Sequence, residues 1–305
     1  MAEIVRIVSI SLGPSSRDKS AELELLGKRF LLERLGTDGH MGRFARFLQQ
    51  YDGIADVLCI GGINLGVHWA DRYYPFTQVR RILADVKQTP VVDGAGLKAT
   101  LEPRTVEILQ ERGIMDLAHS RALVMSSFDR YWLAEAIAQR CGEAIYGDLM
   151  FSLGISLPVR SLEAMTTWAR LVLPVITRLP HSWAFATGVH SDRIVPGFEN
   201  YYAWADLIAG DFASIRHYIP DQLPGKVILT NTITPDDVAL LQSRRVKYLV
   251  TTSPQLEGRA FATNVMEGVF VSLLGRPPEQ LQAEDYLRLA EEINWQPVIR
   301  EISAT

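Results

Sequence analysis

The sequence predicts an α/β protein of two domains built on doubly wound, mainly parallel sheets, and three observations carry that expectation. Short apolar runs rich in Val, Ile and Leu alternate with helical patterns almost from end to end, the rhythm of strand–helix units in a parallel sheet. The chain has 305 residues, about twice the usual domain length. The turns that follow the predicted strands are small, hydroxylic or charged, as expected where loops line one rim of a sheet. Turns of any α/β protein share that composition, so a plain turn or cap is the better reading of any one loop, whereas eight such loops together favour a polar cleft.

Composition narrows the function classes. Lys+Arg total 31 against 35 Asp+Glu, a net charge of −4, which disfavours nucleic acid as a partner. The hydrophobic fraction of 48% and charged fraction of 22% are those of an ordinary folded chain. The opening MAEIVRIVSI carries Glu3 and Arg6 within a strand-like run. It lacks the pattern of a secretory leader, so a cytoplasmic location is expected. The apolar stretches Val57 to Ala70 and Val265 to Gly275 are interrupted by polar residues and fall short of the ~20 residues that span a bilayer, so no membrane span is expected. Cys59 and Cys141 sit in unrelated contexts and read as reduced thiols.

Taken in order, Ile4 to Leu12 is a strand, GPSSRDKS a loop, Ala21 to Leu26 a short helix and Phe30 to Leu35 a strand. GTDG, Gly36 to Gly39, opens a helix with Phe44, Phe47 and Leu48 on one face. The strand Val57 to Ile60 enters GGINLG, and GVHWADRYYPF reads as a hairpin turning at Ala70 and Asp71. Helix Thr77 to Val86, strand Val91 to Val92, the turn DGAGLK and helix Arg104 to Arg112 close the first series. The second begins with the strand at Ala122, an amphipathic helix Asp129 to Arg140 and a strand Ala144 to Phe151. Helix Leu162 to Thr177 contains Pro174, which should kink or end it. Leu179 to Asn200 has little periodicity and reads as a long surface loop or crossover. Strands ADLIAGD, KVILTNT and KYLVTTSP then alternate with helices Phe212 to Tyr218, Pro235 to Gln242 and TNVMEGVFVSLLG. Residues 279–293 form an acidic amphipathic helix. The domains are placed at 1–118 and 119–275, with a helical extension at 276–305.

Candidate chemistry is sought at the carboxyl ends of the strands, where open parallel sheets bind ligands. In GPSSRDKS, the hydroxyls of Ser15 and Ser16 and the cations Arg17 and Lys19 at a helix start suit a phosphate or carboxylate. The alternative is that Ser16 or Asp18 simply caps that helix. Asp93 and Lys98, separated by two glycines, form a couple able to move a proton if burial lowers the Lys pKa. As a turn residue and a surface Lys they would have no such role. Ser126, Ser127, Asp129 and Arg130 follow a strand, and Asp148 lies 21 residues beyond Ser127, where a dinucleotide-binding unit places its ribose acid. The glycine fingerprint is absent, so a pyrophosphate would rest on the Ser hydroxyls and Arg130. Thr251, Thr252, Arg259 and Asn264 make a second anion-ready edge, with Thr263 equally suited to plain helix capping. No metal site is expected, because the six histidines show no i, i+3 or i, i+4 pair.

The phrases SLGPSSRDKS, GGINLG, VVDGAGLKATLE, SSFDR, GDLMFSLGI, GKVILTNTITPDD and GRAFATNVMEG resemble those of bacterial proteins catalogued as quinate or shikimate 5-dehydrogenase-like, over roughly residues 4–275. The resemblance implies an N-terminal α/β domain carrying a catalytic Lys and Asp, for which Asp93 and Lys98 stand, and a Rossmann-like second domain carrying NAD or NADP. On it the chain is expected to be an NAD(P)-dependent oxidoreductase of a small hydroxy acid or carbonyl, with Thr251 and Thr252 added to the cofactor set. The alternative is a non-catalytic protein that closes on a small anionic ligand through Arg17, Lys19 and Arg259. A homodimer is expected in either case.

Overall fold

The computed structural model describes residues 4–152, 154–180, 193–253, 255–256 and 259–302. Its first series of elements is β1 (Ile4–Ser11), β2 (Lys19–Leu25), β3 (Lys28–Gly36), α1 (Met41–Tyr51), β4 (Val57–Gly61), β5 (Gly66–Trp69), β6 (Arg72–Pro75), α2 (Thr77–Leu83), β7 (Val91–Val92) and α3 (Ala95–Glu111). The second is β8 (Arg121–Val124), α4 (Tyr131–Arg140), β9 (Glu143–Tyr146), α5 (Asp148–Phe151), α6 (Leu162–Ile176), α7 (Glu199–Trp204), β10 (Leu207–Ala209), α8 (Phe212–Tyr218), β11 (Val227–Thr230), α9 (Pro235–Ser243) and β12 (Tyr248–Thr251). A short hairpin of β13 (Gln255–Leu256) and β14 (Arg259–Ala260), then α10 (Thr263–Leu274), α11 (Ala283–Glu292) and β15 (Val298–Glu301) complete the described chain.

Two mixed, mainly parallel sheets organise these elements into a two-domain α/β fold, with strand orders β2-β3-β1-β4-β7 and β15-β12-β11-β10-β8-β9. In each, the first parallel strand lies inside the sheet and later strands are added on both sides of it; the antiparallel strands β2 and β15 sit at edges. Each sheet therefore has a point where strand order reverses, between β1 and β4 in the first and between β8 and β10 in the second. There the connections leave in opposite directions and open a crevice at the carboxyl ends.

The inner strands are continuous apolar runs because both of their faces are covered. Ile7, Val8 and Ile10 of β1 and Val57 to Ile60 of β4 are all buried. Helix α10 buries Val265, Met266, Val269, Phe270 and Val271 together; such a helix must be enclosed, and it lies against β1 and β4 with α3 and α11 beyond it. The chain then crosses back to pair β15 with β12. One apolar core joins Val8, Ile10 and Leu58 of the first sheet to Leu207 and Leu229 of the second through Val106 and Leu109 of α3 and Leu133 and Ile137 of α4. The β5–β6 hairpin adds a second contact between the lobes: Trp69 Nε1 donates to Thr166 Oγ1 of α6 at 3.1 Å, and its ring packs on Phe128 and Tyr131.

Three local readings change. Ala21 to Leu26 is strand, not helix: Ala21, Leu23 and Leu25 alternate with polar residues in β2, which turns through Leu26 and Gly27, φ +48° and +72°, into β3. The expected DGAGLK turn is already helical from Ala95, so α3 carries Pro103 in its interior. The strand expected over Ala144 to Phe151 stops at Tyr146, and Asp148 opens α5. Pro174 is accommodated within α6, which continues to Ile176. Of the loop expected over Leu179 to Asn200, residues 181–192 lie outside the described residues, and Glu199 already begins α7.

Candidate functional site

The first lobe brings Asn64, Asp93 and Lys98 to its carboxyl rim. Asp93 lies two residues before α3; its Oδ1 accepts from the Ala95 N–H at 3.0 Å and its Oδ2 from the Leu65 N–H at 2.7 Å. It is thus spent on holding the β4–β5 loop to the start of α3. Gly94 follows with φ +96°, a left-handed conformation open to glycine at little cost. Glu267 of α10 reaches the same place, accepting from the Gly94 N–H at 2.5 Å and the Gly96 N–H at 2.7 Å. Burial, and then Asp93, push this carboxyl up to about 7 against the pull of those two amides.

Lys98, one turn into α3, does not pair with Asp93. Its Nζ donates to Asp129 Oδ1 of the second lobe at 2.9 Å and lies 3.5 Å from Asn64 Oδ1, while Asn64 Nδ2 donates to the same Asp129 oxygen. Burial is the largest influence and lowers the Lys98 pKa, as does Arg130, but Asp129 and Asp93 together more than offset them and the pKa ends above the ordinary value. Burial likewise raises Asp129, and Lys98 with Arg130 brings it below the usual carboxylate range. The pair is therefore held charged at neutral pH, with the Asp129 side chain 29% exposed.

The second lobe contributes the loops after β8, β10, β11 and β12. Arg130 is buried against Glu102 of α3, with its Nη2 3.5 Å from Asp211 Oδ2 and its Nε 3.7 Å from Asp129 Oδ2. Burial pushes the Glu102 carboxyl up, against Arg130 and Lys98. Asp211 caps α8 by accepting from the Ala213 N–H at 2.9 Å, its backbone N–H donates to Ser126 Oγ at 3.1 Å, and Asn231 Nδ2 lies 3.3 Å from its other oxygen. A hydroxyl relay runs on from Thr232 Oγ1 to Ser253 Oγ at 2.7 Å and Thr263 Oγ1 at 3.0 Å. Beside it, Asn264 Nδ2 donates to Ser9 Oγ at 3.1 Å and to the Ile60 carbonyl at 2.9 Å. The strand-order reversals of both sheets thus face one another across a continuous polar seam.

Other expected site residues are placed differently. Ser15 to Arg17 form one short 3₁₀ turn leading into β2, not a helix start. The Ser15 N–H is taken by Asp38 Oδ1 at 2.7 Å, and Asp18 receives Arg34 and the Gly36 N–H. Ser16, Arg17 and Lys19 are exposed there. Asp148 is 1% exposed. Its oxygens accept the Ser127 N–H at 3.0 Å, the Ser127 hydroxyl and the Phe128 N–H at 2.8 Å, and burial pushes it up to about 6. It shapes the 126–130 turn and presents no oxygen to a ribose. Thr251 and Thr252 are buried, with the Thr252 N–H donating to the Thr230 carbonyl at 3.0 Å. Arg259 opens β14, and its side chain lies outside the described residues. Sequence reasoning missed Asn64, Glu102, Asp211, Asn231 and Glu267. A charged residue inside the otherwise apolar helix TNVMEGVF was the available signal for Glu267.

Among the described residues no group of His, Cys, Asp and Glu could hold a metal ion, and no helix is long and apolar enough to cross a membrane.

No curated protein matches the sequence. Among solved structures the chain is similar to the glucose-galactose binding protein GanP from Geobacillus stearothermophilus, at 9% identity over 98% of each chain with a TM-score of 0.37. It is also similar to a periplasmic ribose ABC transporter protein from Conexibacter woesei, at 10% identity over 95% of each chain with a TM-score of 0.36. The periplasmic binding protein of an arabinose ABC transporter from Shewanella sp. ANA-3 aligns at 9% identity over 94% of this chain and 95% of that one, with a TM-score of 0.38.

These findings correct four expectations. The resemblance to quinate or shikimate dehydrogenases is not retained: the family models that match the chain are described only as domains of unknown function. The NAD(P)-dependent oxidoreductase reading falls with it, and Asp148, buried and fully bonded, removes the ribose acid on which dinucleotide binding depended. The oxidoreductase and dehydrogenase labels go for the same reasons. The cytoplasmic placement is not retained either; the ribose and arabinose proteins are described as periplasmic. One family model, described as Domain of unknown function (DUF8753), matches residues 6–93 and ends where α3 is about to begin. A second matches residues 96–302, most of the chain, and on that match this protein belongs to the family described as Domain of unknown function (DUF8754).

Proposed function

We propose that the protein is a two-lobed receptor that holds a small, neutral, hydroxyl-bearing molecule, of the sugar or polyol class, where the strand-order reversals of its two sheets face each other, and holds it without chemistry. One observation carries this reading: Asn64 and Lys98 from one lobe meet Asp129 from the other at a partly exposed junction, with Asp211 joined to it through Arg130. The second sheet has its parallel strands in the order second, first, third, fourth and fifth, a doubly wound order distinct from the Rossmann one, and such sheets bind ligands at the reversal.

Two features favour binding over turnover and a neutral ligand over an anion. Acid–base catalysis needs an accessible group whose pKa lies near the working pH, whereas at the junction Lys98 is raised and Asp129 lowered, and Glu267, pushed up to about 7, is buried and engaged by the Gly94 and Gly96 amides. The cations of the seam are already paired with Asp129, Glu102 and Asp211, so an added anion meets carboxylates in place of free positive charge. Amides, carboxylates and a bound ammonium instead offer the mixed acceptors and donors that hydroxyls use.

A thermal-shift screen tests this with neutral sugars and polyols, anionic hydroxy acids and nucleotides side by side, since a ligand of the folded state raises the midpoint with RT ln(1 + [L]/Kd). A neutral hydroxylated compound is expected to give the largest shift, and Asn64→Ala to diminish it. Shifts from anions alone would overturn the reading.

A further inference from the structure

We propose that a cavity beside the edge strand of the second sheet is a separate binding site for a free amino acid with an apolar side chain, recognised as its zwitterion. The cavity has a volume of about 390 Å³, within the range of small-molecule sites. It lies between the C-terminal end of α4, the edge strand β9 and the N-terminal end of α6, and no residue of the inter-lobe junction lines it. Ala138 of α4, Ala144 of β9 and Leu162 of α6 give it an apolar body, with Cys141 beside them. Burial pushes that thiol up to about 11, so it stays neutral. One buried polar group opens on this space. Tyr146 is 1% exposed and lines the cavity, yet its hydroxyl has no hydrogen-bond partner among the described residues. The hydroxyl feels the Cys141 thiol, which with burial raises its pKa, so it stands on the cavity side of the ring as a neutral donor. Buried polar groups are nearly always bonded; an unpaired phenol in a cavity wall marks where a ligand's acceptor belongs.

The two helix ends that meet the cavity carry opposite charge. At α6, Ser161 Oγ accepts from the Ala164 N–H at 3.1 Å, and the first amides of the helix have no partner within it. Arg160 precedes them, exposed, its guanidinium 5.9 Å from the centre of the Trp204 ring and without a carboxylate partner among the described residues. With the Tyr146 hydroxyl, these donors suit a carboxylate. At α4 the last carbonyls are the unpaired groups, and Glu143 adds a full negative charge, exposed and with no ion pair among the described residues. Its cross-strand neighbour Arg121 is committed to both oxygens of Asp206. That end suits an ammonium. A plain carboxylate would meet Glu143, and a plain amine would meet Arg160. A molecule that carries both charges next to an apolar group satisfies both ends and the body between them, and an amino acid is that molecule. This inference is independent of the ligand reading at the junction.

Isothermal titration of the common amino acids, singly and at millimolar concentration, into the full chain tests it. An aliphatic or aromatic amino acid is expected to bind. Its des-amino acid and its decarboxylated amine should each bind at least roughly tenfold more weakly, the scale of one hydrogen bond to a charged group. Tyr146→Phe, which keeps the ring and removes only the hydroxyl, and Arg160→Gln should each weaken binding by a similar factor. Ala138→Trp, an exposed position on the cavity wall, should abolish it by filling the space, which keeps the test decisive even if Tyr146→Phe folds poorly. Asn64→Ala should leave it unchanged, which separates this site from the junction. Binding of no amino acid, equal affinity for either analogue, full affinity in Ala138→Trp, or loss of binding in Asn64→Ala would overturn the proposal.

Discussion

Lys98 shows how burial and pairing compete at one residue. Buried Lys normally loses its proton readily, yet Asp129 at 2.9 Å keeps this ammonium charged. Removing one partner of a buried pair leaves the other uncompensated, at about 3 kcal/mol. Lys98→Met is therefore expected to lower the urea unfolding free energy by about that amount, and Lys98→Met/Asp129→Asn to recover at least half of it; no loss in the single variant would show the pair to be solvated. Glu267 makes a pH prediction. Its folded pKa of about 7 lies above the usual carboxylate range, so the folded state holds a proton that the unfolded state has released. Stability from this group is present below about pH 4.5 and is lost as pH rises through 7, at most about 3 kcal/mol. Asp148, at about 6, acts in the same direction. Unfolding free energy should fall between pH 5 and 8, and Glu267→Gln should flatten the fall; an identical slope in the variant would contradict the assignment. Lys98, Asp129, Arg130, Ser126 and Ser127 were legible as polar residues just after strands. Asn64, Asp211 and Glu267 were not, because what they touch lies far along the chain: Glu267 bonds Gly94, 173 residues away.

At the scale of elements, the inner strands and most helices follow from apolar periodicity, while edges and junctions do not. The KSAELEL segment alternates with a period of two, but its length and its Glu and Leu content also suit a helix turn, and only pairing along β3 decides between them. Helix α3 begins at Ala95 because Asp93 and Glu267 receive its first amides, which lets it start before the run that periodicity alone marks. That docking depends on Gly96, where an added Cβ would stand 2.5 Å from both Glu267 Oε1 and the Tyr286 ring. Gly96→Ala should cost about 2 kcal/mol or more through overpacking, even though Ala favours helix by up to about 1 kcal/mol. Thermal unfolding decides the sign, and a stabilised variant would mean that α10 and α11 yield easily to the added methyl.

For the whole molecule, doubly wound topology follows from the strand–helix rhythm. The facing of the two reversals does not, because it depends on α3 and α4 sharing one core and on α10 returning to the first sheet. The central claim is that a neutral hydroxylated ligand is held from both lobes at that junction. Isothermal titration of the sugar or polyol that most raises the thermal midpoint, against wild type, Asn64→Ala and Asp211→Ala, tests this most directly, since one variant alters each lobe. Each is expected to weaken binding at least roughly tenfold, the scale of one hydrogen bond to a charged group, with enthalpy reduced in both. Unchanged affinity in either variant would place the ligand outside the junction and contradict the account.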